Sequence, residues 1–517
     1  MNHSALQTHW PQLTETAMRR WQAQRFRDYL RRVVLPFSAH YREQFRELGL
    51  DAGSFRSLED LARLPFATKA DLQATPEQPN RPRDFILIPD RAALARQPRI
   101  LLRGLIHGRA RLERQLAAEF RPTMLHFTTG RSAEPLPIAL TQHDVNHLSL
   151  AGLRMMDVCN ASPDWRMINA FPFAPHLAFW LTHQAGGAVG ALMVSTGGGK
   201  TIGTEGNLRF LRKLNPEALI GVPTFIYHLL HAAAEAGVHC EKLKRIVLGG
   251  EKVSDGLRRK LRDLAHELGA PEVDVLATYG FTEAKQAWAE CPFPHDQPSA
   301  GYHLYPDLGI VELIDPRTGE VVPPGQPGEI VFTPLDARGT VVLRYRTGDF
   351  VDGGLTWETC PYCQRRTPRL VGRISRRSEI KSLHLDKLKG TLVDFNQLEH
   401  VLDDDPHVGS WQLELRKLHD DPDELDELIV HVHQTNGDDE ARVADELKAR
   451  FLRATELQPN RIEFHDAATM RRLQGVGVAL KEQRIVDHRP GANGSTAAPV
   501  AAPEPATLPA TGTGIAA

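Results

Sequence analysis

Short apolar runs alternate with segments of helical periodicity between residues 120 and 350, and this alternation constrains the fold more than any other feature of the chain. The strand-length runs are MLHFTT, RMINAFPF, GALMVST, ALIGV, RIVLGG and VDVLATYG. Between two of them, LRRKLRDLAHELG carries apolar residues at three- and four-residue spacing, as a helix does. Strands that alternate with helices predict an α/β domain built on a largely parallel sheet.

The flanking segments predict further elements. Residues from about 11 to 47 have helical periodicity, and SLEDL at 57–61 begins with a serine able to cap a helix. At 309–335 two β-rich runs flank Pro-Gly turns, which predicts an antiparallel hairpin. After Arg373 the elements become shorter and more charged, with strands in QLELRKL and ELIVHVH and a helix in EARVADELKARFL. The tail 491–517 has one charged side chain, Glu504, and is predicted to be disordered.

Composition and charge exclude several classes of function. The chain of 517 residues has a formal net charge of −2, which argues against binding of nucleic acid through a basic face. No stretch reaches the ~20 apolar residues of a membrane span, and the first residues lack the basic and apolar segments of a secretory signal. Five cysteines in so long a chain do not make a disulfide framework. We therefore expect a cytoplasmic protein with no nucleic-acid or membrane partner.

Two motifs combine groups that suit a nucleotide, at strand ends where open α/β sheets bind ligands. YGFTE at 279–283 brings together an aromatic ring, a glycine, a hydroxyl and a carboxylate, which suit a base, a phosphate and Mg²⁺. LRYRTGDF at 343–350 places Asp349 at a turn, where one carboxylate can accept both hydroxyls of a ribose. The competing interpretations are an ordinary strand-to-helix turn and an ordinary β-turn aspartate.

Two further motifs contain glycine and hydroxyl side chains. GGE at 249–251 follows a strand-like run, and its two glycines allow a ligand to approach the backbone closely. HFTTGRSAEP at 126–135 offers hydroxyls, one glycine and one guanidinium, which suit a phosphate. The candidate binding residues of these two motifs are Thr128, Thr129, Gly130, Arg131, Ser132, Gly249, Gly250 and Glu251.

In this order and at these separations, the four motifs resemble the acyl-adenylate-forming (AMP-binding) superfamily, and within it the phenylacetate–CoA ligase family. The resemblance extends from about Tyr41 to Arg489, and YREQFRELGL with SLEDLARLPFATKADL resembles the N-terminal segment of that family. It implies an N-terminal AMP- and acyl-binding domain with mixed and parallel sheets over residues 1–372. A smaller mobile α+β lid domain over 373–490 would follow, entered at Gly372 and Arg373. A homodimer would be in keeping with the resemblance.

The resemblance also implies a reaction, with ATP, Mg²⁺ and CoA as cofactors and a small carboxylic acid as substrate. Lys481 would neutralise the charge that develops at the α-phosphate, and Glu283 would hold Mg²⁺; these two are the candidate catalytic residues. Asp349 and Arg373 would fix the ribose. Rotation of the small domain would then admit the thiol of CoA. The nucleotide-binding residues in the YGFTE motif would be Tyr279, Gly280, Phe281 and Thr282.

FPFAPH at 171–176 stands where the family closes its acyl pocket. Phe171, Phe173 and His176 are the predicted lining residues, and aromatic walls suit a planar aryl acid. Core packing is the competing interpretation of the two phenylalanines. STGGGKT at 195–201 lacks the glycine six residues before the lysine that a P-loop needs, so we predict a loop beside the acyl pocket instead.

The chain departs from the family pattern in two places. Its phosphate loop has Arg131, Ala133 and Glu134 where the family has more glycine and threonine, and its hinge has IleSerArgArg where the family has aspartates. Three hypotheses therefore stay open: an aryl-CoA ligase, an adenylating enzyme with a carrier protein, amine or hydroxyl as acceptor, and a zinc-stabilised binding protein without ATP turnover. The retained charged residues of the nucleotide site speak against the third.

A Cys-x₂-Cys pair, Cys360 and Cys363, has the spacing of half a zinc site. Relatives with a similar knuckle carry two further ligands, which correspond here to Cys291 and His303, with His295 as the competing fourth ligand. Four protein ligands would make a structural Zn²⁺ site that ties the sheet to the hairpin unit. Two reduced surface thiols are the alternative.

Overall fold

A computed structural model describes residues 14–89, 94, 98–128, 135–376, 380–385, 388–420, 425–435, 437–455, 457–479 and 482–489. Several predicted positions lie outside these described residues: Thr129, Gly130, Arg131, Ser132, Ala133, Glu134, Lys481 and the tail 491–517. Their roles therefore stay predictions. None of the helices in the described part of the chain has the length and apolar character that a bilayer crossing needs.

The helices of the described part fall mainly in the first half of the chain. They are α1 (Glu15–Tyr29), α2 (Leu35–Phe37), α3 (Ala39–Glu47), α4 (Lys69–Leu72), α5 (Arg81–Asp84), α6 (Pro98–His107), α7 (Arg109–Phe120), α8 (Gln142–Val158), α9 (Leu177–Val189), α10 (Gly198–Leu214), α11 (Pro223–Glu235), α12 (Asp255–Glu267), α13 (Phe395–Asp403), α14 (Glu440–Thr455) and α15 (Ala467–Leu473). A π-helical turn covers Leu30–Val34, and 3₁₀ turns cover Ala52–Ser54, Glu59–Arg63, Thr282–Ala284 and Leu418–Asp420.

The strands begin after α7 and continue to the end of the described chain. They are β1 (Pro122–Phe127), β2 (Pro137–Thr141), β3 (Arg166–Asn169), β4 (Leu192–Ser195), β5 (Ala218–Gly221), β6 (Arg245–Leu248), β7 (Asp274–Phe281), β8 (Gln286–Ala289), β9 (Tyr302–His303), β10 (Gly309–Ile314), β11 (Gly328–Pro334), β12 (Tyr345–Val351), β13 (Leu355–Thr356), β14 (Arg369–Leu370), β15 (Ile374–Arg376), β16 (Ile380–Leu385), β17 (Leu388–Asp394), β18 (Val408–Lys417), β19 (Asp426–Gln434), β20 (Arg461–Phe464) and β21 (Ile485–Asp487).

A nine-stranded sheet forms the centre of the large domain, in the order β13-β14-β9-β8-β7-β6-β5-β3-β4. The five strands from β4 to β7 are parallel, and β5 is buried along its whole length because helices cover both faces. From β7 onward the pairing is antiparallel. The sheet is therefore mixed, and the predicted α/β class is confirmed.

A second sheet has the order β10-β11-β12-β15 and carries the predicted hairpin. Strands β10 and β11 pair antiparallel in continuous register, which confirms the hairpin prediction for 309–335. Strand β12 pairs with β11 on one side and with β15 on the other. This arrangement brings the end of the LRYRTGDF motif beside residues 374–376.

Two helix predictions near the N-terminus differ from the structure. The helix predicted from about 11 to 47 is broken at Ser38, whose backbone is extended with φ −117° and ψ 118°, and a new helix begins at Ala39. SLEDL forms only a 3₁₀ turn. The residue after that turn, Leu64, precedes Pro65 and is held extended, with φ −87° and ψ 138°, so the helix cannot continue.

Two buried clusters of apolar side chains lie in separate parts of the described chain. The larger includes side chains from Phe26 to Leu370, and the smaller includes side chains from Phe395 to Leu457, where α13 and α14 pack on β18 and β19. Strand β15 still pairs with β12, so residues 374–376 belong with the larger unit in space. The domain boundary at 372–373 and the mobility of the lid domain stay predictions.

The small domain contacts the large one at the start of α12. Gly256 donates its backbone N–H to Asp404 Oδ1 (3.1 Å), and the Lys260 ammonium donates to the carbonyl oxygen of Asp403 (2.9 Å). A Cβ added at Gly256 would lie 1.9 Å from that carbonyl oxygen. The residue at 256 must therefore be glycine for the two domains to meet as they do.

Replacing Gly256 with alanine is expected to separate the two domains without unfolding either. An overlap of this size costs about 1–3 kcal/mol, so proteolysis between the domains should accelerate about tenfold or more. Gly187→Ala is the matched control, because a Cβ there meets nothing within 4 Å and φ is negative. Equal protease sensitivity of the two variants would contradict this account of the interface.

Candidate active site

Asp349 lies at the centre of a small polar cluster where the ends of β7 and β12 meet. Tyr279 donates its hydroxyl to Asp349 Oδ2 (2.8 Å), and Arg376 donates Nε–H to Oδ1 (2.9 Å). The carboxylate is buried, with 4% of the residue exposed, and follows Gly348, whose φ of +74° favours glycine. Each carboxylate oxygen keeps a lone pair after these bonds, so Asp349 can still accept two hydroxyls from a ligand.

Arg373, the predicted ribose partner, takes a different place. Its side chain is exposed, and its backbone N–H donates to Asp352 Oδ1 (2.7 Å). Arg376 is the guanidinium that the structure brings to Asp349, since the two residues are register partners across β12 and β15. Arg376 was not among the predicted site residues, because nothing in a local motif specifies that register.

Glu283 occupies the 3₁₀ turn that follows β7. Tyr345 donates its hydroxyl to Glu283 Oε1 (2.6 Å). Burial raises the pKa of Glu283, and the hydrogen bond from Tyr345 opposes this rise. A nearby cation would stabilise the ionised form of a carboxylate in such surroundings. The sequence carried a signal for Tyr345, because it belongs to the same LRYRTGDF motif as Asp349.

The other residues of the YGFTE motif have structural partners. Gly280 pairs with β8 so closely that a Cβ there would lie 2.7 Å from Ala287 Cβ. Phe281 is buried and contacts Trp288, Phe332 and Tyr345. Thr282 is half-buried at the first position of the turn. The motif thus presents Tyr279 and Glu283 as its polar groups toward β12.

The GGE motif lies beside the predicted acyl pocket. A Cβ at Gly249 would stand 2.4 Å from Thr278 Oγ1 and 3.3 Å from Phe171 Cζ. Gly250 has a φ of +85°. Glu251 accepts hydrogen bonds from the backbone N–H and hydroxyl of Thr224, at 3.2 and 2.7 Å, in the first turn of α11. Because the start of a helix is positive, Glu251 stabilises α11 there.

Of the three predicted acyl-pocket residues, His176 contacts the end of β1, Phe171 faces Gly249, and Phe173 packs on α9. Phe171 is buried, whereas Phe173 is 59% exposed and packs its ring on Phe179 and Trp180. His176 Nδ1 lies 3.0 Å from the carbonyl oxygen of Phe127. Thr128, the next residue along the chain, exchanges hydrogen bonds with Leu136 through its hydroxyl and backbone, at the base of the predicted phosphate loop.

A further histidine, which was not among the predicted site residues, lies in β1. His126 is 1% exposed, and burial, with smaller contributions from His176 and Lys285, lowers its pKa to about 4. The Lys285 ammonium is itself buried, 3.1 Å from Asp144 Oδ1. Lys285 and Asp144 therefore form a buried ion pair.

The glycine segment of STGGGKT lies beside Phe173, one of the predicted acyl-pocket residues. A Cβ at Gly197 would be 3.2 Å from Phe173 Cβ, and one at Gly199 would be 3.0 Å from the Cα atom of Gly477. The segment begins α10 instead of forming an open loop. Its contact with Gly477 brings the chain shortly before position 481 close to Phe173. We call the surroundings of Phe171, Phe173 and His176 the acyl corner.

Cys291, His303, Cys360 and Cys363 form a compact group whose potential ligand atoms all lie within 4.8 Å of one another. Cys291 Sγ is 3.7 Å from Cys360 Sγ, and Cys363 Sγ is 3.5 Å from His303 Nε2. A tetrahedral Zn²⁺ site with Zn–S of about 2.3 Å and Zn–N of about 2.0 Å has edges of about 3.8 and 3.5 Å. The four residues therefore fit such an ion.

The remaining contacts of this group decide between the two candidate histidines. His303 Nδ1 contacts Thr367 Oγ1 (3.1 Å), which orients the ring, and His295 instead faces Asp274 at 3.6 Å. Hydrogen bonds from Cys291 and Cys363 lower the pKa of the Cys360 thiol. The group connects the β8–β9 and β13–β14 segments of one sheet. The predicted link to the hairpin unit at 309–335 is therefore wrong.

Comparison with known proteins identifies the family. The profile of the family described as AMP-binding enzyme matches residues 63–334, slightly more than half of the chain. This chain belongs to that family. The predicted recognition, an AMP-binding protein similar to phenylacetate–CoA ligases, is confirmed.

Curated relatives share about a quarter of their residues with this member of the family. The phenylacetate-coenzyme A ligase of Thermus thermophilus is 26% identical over 73% of this chain and 74% of its own length. Those of Aromatoleum evansii and Escherichia coli are 25% and 24% identical, over 87% and 76% of this chain and 90% and 77% of their own lengths. A crystal structure of 2-hydroxyisobutyryl-CoA ligase in the postadenylation state has a TM-score of 0.71 at 18% identity, over 92% of this chain and 91% of that one. The fold is therefore shared.

Arg376→Ala is expected to weaken ATP binding more than Arg373→Ala. The Arg376 side chain is half exposed, so its ion pair contributes about 0.5–1 kcal/mol and its loss should raise the Kd for ATP about two- to fivefold. Calorimetric titration of both variants with ATP measures the difference. A larger loss in Arg373→Ala would assign the ribose contact to Arg373, as the sequence predicted.

Proposed function

We propose that this protein joins a carboxylic acid to CoA through an acyl-adenylate and releases AMP and pyrophosphate. The supporting observation is a pair of carboxylates that accept hydrogen bonds from tyrosines, the buried Asp349 and the half-buried Glu283, within an AMP-binding enzyme. The relatives whose names state this activity, the phenylacetate-coenzyme A ligases, support the same class of reaction. Different residues of this chain act in the different steps of this reaction.

Asp349 accepts the ribose hydroxyls, with Tyr279 and Arg376 holding its two oxygens in place. Glu283 provides an oxygen ligand for Mg²⁺, which when bound offsets charge on the triphosphate. Lys481, whose role rests on the family resemblance, stabilises the negative charge between the attacking carboxylate and the α-phosphate. Gly477 approaches Gly199, so the described chain shortly before position 481 lies beside the predicted acyl-pocket residues. Phosphate binding by Thr129, Gly130, Arg131 and Ser132 is part of the same proposal.

The proposed substrate is an aromatic carboxylic acid. Phe171 faces Gly249, and no larger residue fits at 249 without meeting Thr278. Tyr279 stacks on Trp288, with 5.8 Å between ring centroids, which fixes a second aromatic face nearby. Each contact between an aromatic ring of the substrate and an aromatic side chain stabilises binding by about 0.5–1.5 kcal/mol. The proposed acceptor is CoA, and the assay below distinguishes it from a carrier protein or an amine. The proposed assembly is a homodimer.

The ligase is tested by measuring AMP, CoA consumption and acyl-CoA mass with phenylacetate and with cyclohexylacetate. The second acid has the same carbon skeleton without the planar ring. We expect AMP formation to require an acid, and kcat/KM for phenylacetate to exceed that for cyclohexylacetate about tenfold. Equal kcat/KM values for the two acids would reject the preference for aromatic acids but would not contradict the ligase activity.

Other outcomes of this assay separate the remaining hypotheses. AMP formed without CoA consumption would reject CoA as acceptor and favour a carrier protein or an amine. AMP formed equally fast by Lys481→Ala would remove the lysine from the mechanism. No AMP with any acid would contradict the proposed function and favour a binding protein.

We also propose that Cys291, His303, Cys360 and Cys363 hold a structural Zn²⁺. The four ligands fill a tetrahedral site, so no position is left for catalysis. Thiolate ligands require a reducing compartment, and the five cysteines are free thiols, in keeping with a cytoplasmic protein.

His303→Gln is expected to lose this zinc, and His295→Gln is expected to keep it. Metal binding contributes to folding, so the first variant should also melt several degrees lower. Elemental analysis of the purified variants and thermal unfolding measure the two effects. Retention of zinc by His303→Gln with loss by His295→Gln would reverse the assignment.

A further inference from the structure

A second group of metal-binding side chains lies in the small domain, far along the chain from the cysteines. His431 on β19, Glu463 on β20 and His465 just after β20 have ligand atoms within 4.8 Å of one another. Leu428, Val430 and Val432 point into the buried core of the small domain, so His431 lies on the opposite face of β19. The proposed function uses none of these three residues.

The distances within this group are those of a single ion. His431 Nδ1 lies 3.0 Å from His465 Nε2 and 3.5 Å from Glu463 Oε2, and His465 Nε2 lies 3.9 Å from the same oxygen. Nitrogen and oxygen ligands about 2.0–2.1 Å from a tetrahedral Zn²⁺ stand about 3.3–3.4 Å apart. The three observed distances bracket this value.

Neighbouring side chains orient the ligand atoms. His431 Nε2 lies 2.8 Å from Glu414 Oε2, so the N–H of His431 is at Nε2 and its Nδ1 presents a lone pair to the group. Arg461 Nη1 lies 3.1 Å from Glu463 Oε1, which leaves Oε2 to face the histidines. A histidine that gives its second N–H to a carboxylate is the usual arrangement around a zinc ligand.

A carboxylate oxygen directed at an imidazole lone pair is unfavourable unless a cation lies between them. A hydrogen bond from His465 to His431 would satisfy the two rings, but it would leave Glu463 Oε2 facing His431 Nδ1 without a proton between them. A divalent ion would accept all three lone pairs at once. Two imidazoles and one carboxylate suit Zn²⁺ and its neighbours among the transition metals better than Mg²⁺ or Ca²⁺.

We propose that His431, Glu463 and His465 form a second metal site of the Zn²⁺ class. Three protein ligands leave the fourth position to water or another small ligand. His465 directly precedes Asp466, which caps α15, and Gln412 donates to the carbonyl oxygen of Leu473 at the other end of that helix. The ion therefore fixes the start of α15 to the sheet.

The position of α15 matters for the segment that follows it. Gln474 Oε1 lies 2.7 Å from His228 Nε2 of the large domain, and Gly477 approaches Gly199. A metal at the start of α15 thus stiffens the segment that connects the small-domain sheet to the acyl corner. The metal site itself does not depend on the proposed ligase activity.

Zinc binding by the metal-depleted full-length protein tests the site. Equilibrium dialysis against Zn²⁺, followed by elemental analysis, should give one zinc per chain more for the wild type than for His465→Gln. His419→Asn is the matched control, since His419 is an exposed histidine of the same domain with φ of 55°, which asparagine tolerates. Glu414→Gln should keep the ion with about 10–100-fold weaker affinity, because only the partner of His431 changes.

The readout is the difference between variants, so it does not depend on whether the cysteine site holds zinc. Co²⁺ bound at the proposed site should give the wild type more visible absorption than His465→Gln, without a difference in the charge-transfer band of thiolate ligands. Glu463→Gln serves in place of His465→Gln if that variant fails to fold. Equal zinc in the wild type, His465→Gln and Glu463→Gln, or equal loss in His419→Asn, would overturn the proposal.

Discussion

The hydrogen bond between Tyr279 and Asp349 joins the central sheet to the second sheet at the point where β7 and β12 end. Four observations depend on this junction: the orientation of the Asp349 carboxylate, its contact with Arg376, the approach of Tyr345 to Glu283, and the packing of Phe281 between the sheets. Both acids are thereby held in fixed places in a partly buried site. Fixed acids of this kind can bind a nucleotide and its metal with little reorganisation.

Glycine packing sets how the two domains approach this junction. The large and small domains meet at Gly256 so closely that no side chain fits, and Gly199 and Gly477 bring the end of the small domain to the acyl corner. The group of Cys291, His303, Cys360 and Cys363 connects segments at the antiparallel edge of the central sheet. The group of His431, Glu463 and His465 lies in the small domain at the start of α15. The active-site corner is thus supported from both domains.

Local patterns predicted the parts of this structure that depend on nearby residues. The strands, the 309–335 hairpin and the Cys360–Cys363 pair follow from periodicity, turns and ligand spacing, whereas the family resemblance implied Cys291 and His303. Arg376 could not be predicted, because its contact with Asp349 depends on strand register across 27 residues. Glu251, a predicted binding residue of the GGE motif, accepts hydrogen bonds from Thr224, and the sequence gives no sign that Thr224 lies beside it. The small-domain metal group likewise depends on the pairing of β19 with β20.

Acid-dependent exchange of labelled pyrophosphate into ATP tests most directly whether the corner between β7 and β12 performs adenylation. The assay requires only ATP, Mg²⁺, pyrophosphate and a carboxylic acid, so it reports the first step apart from the acceptor. We expect exchange that needs an aromatic acid, proceeds without CoA and is lost in Asp349→Ala. No exchange with any acid, or exchange that persists in Asp349→Ala, would contradict the account.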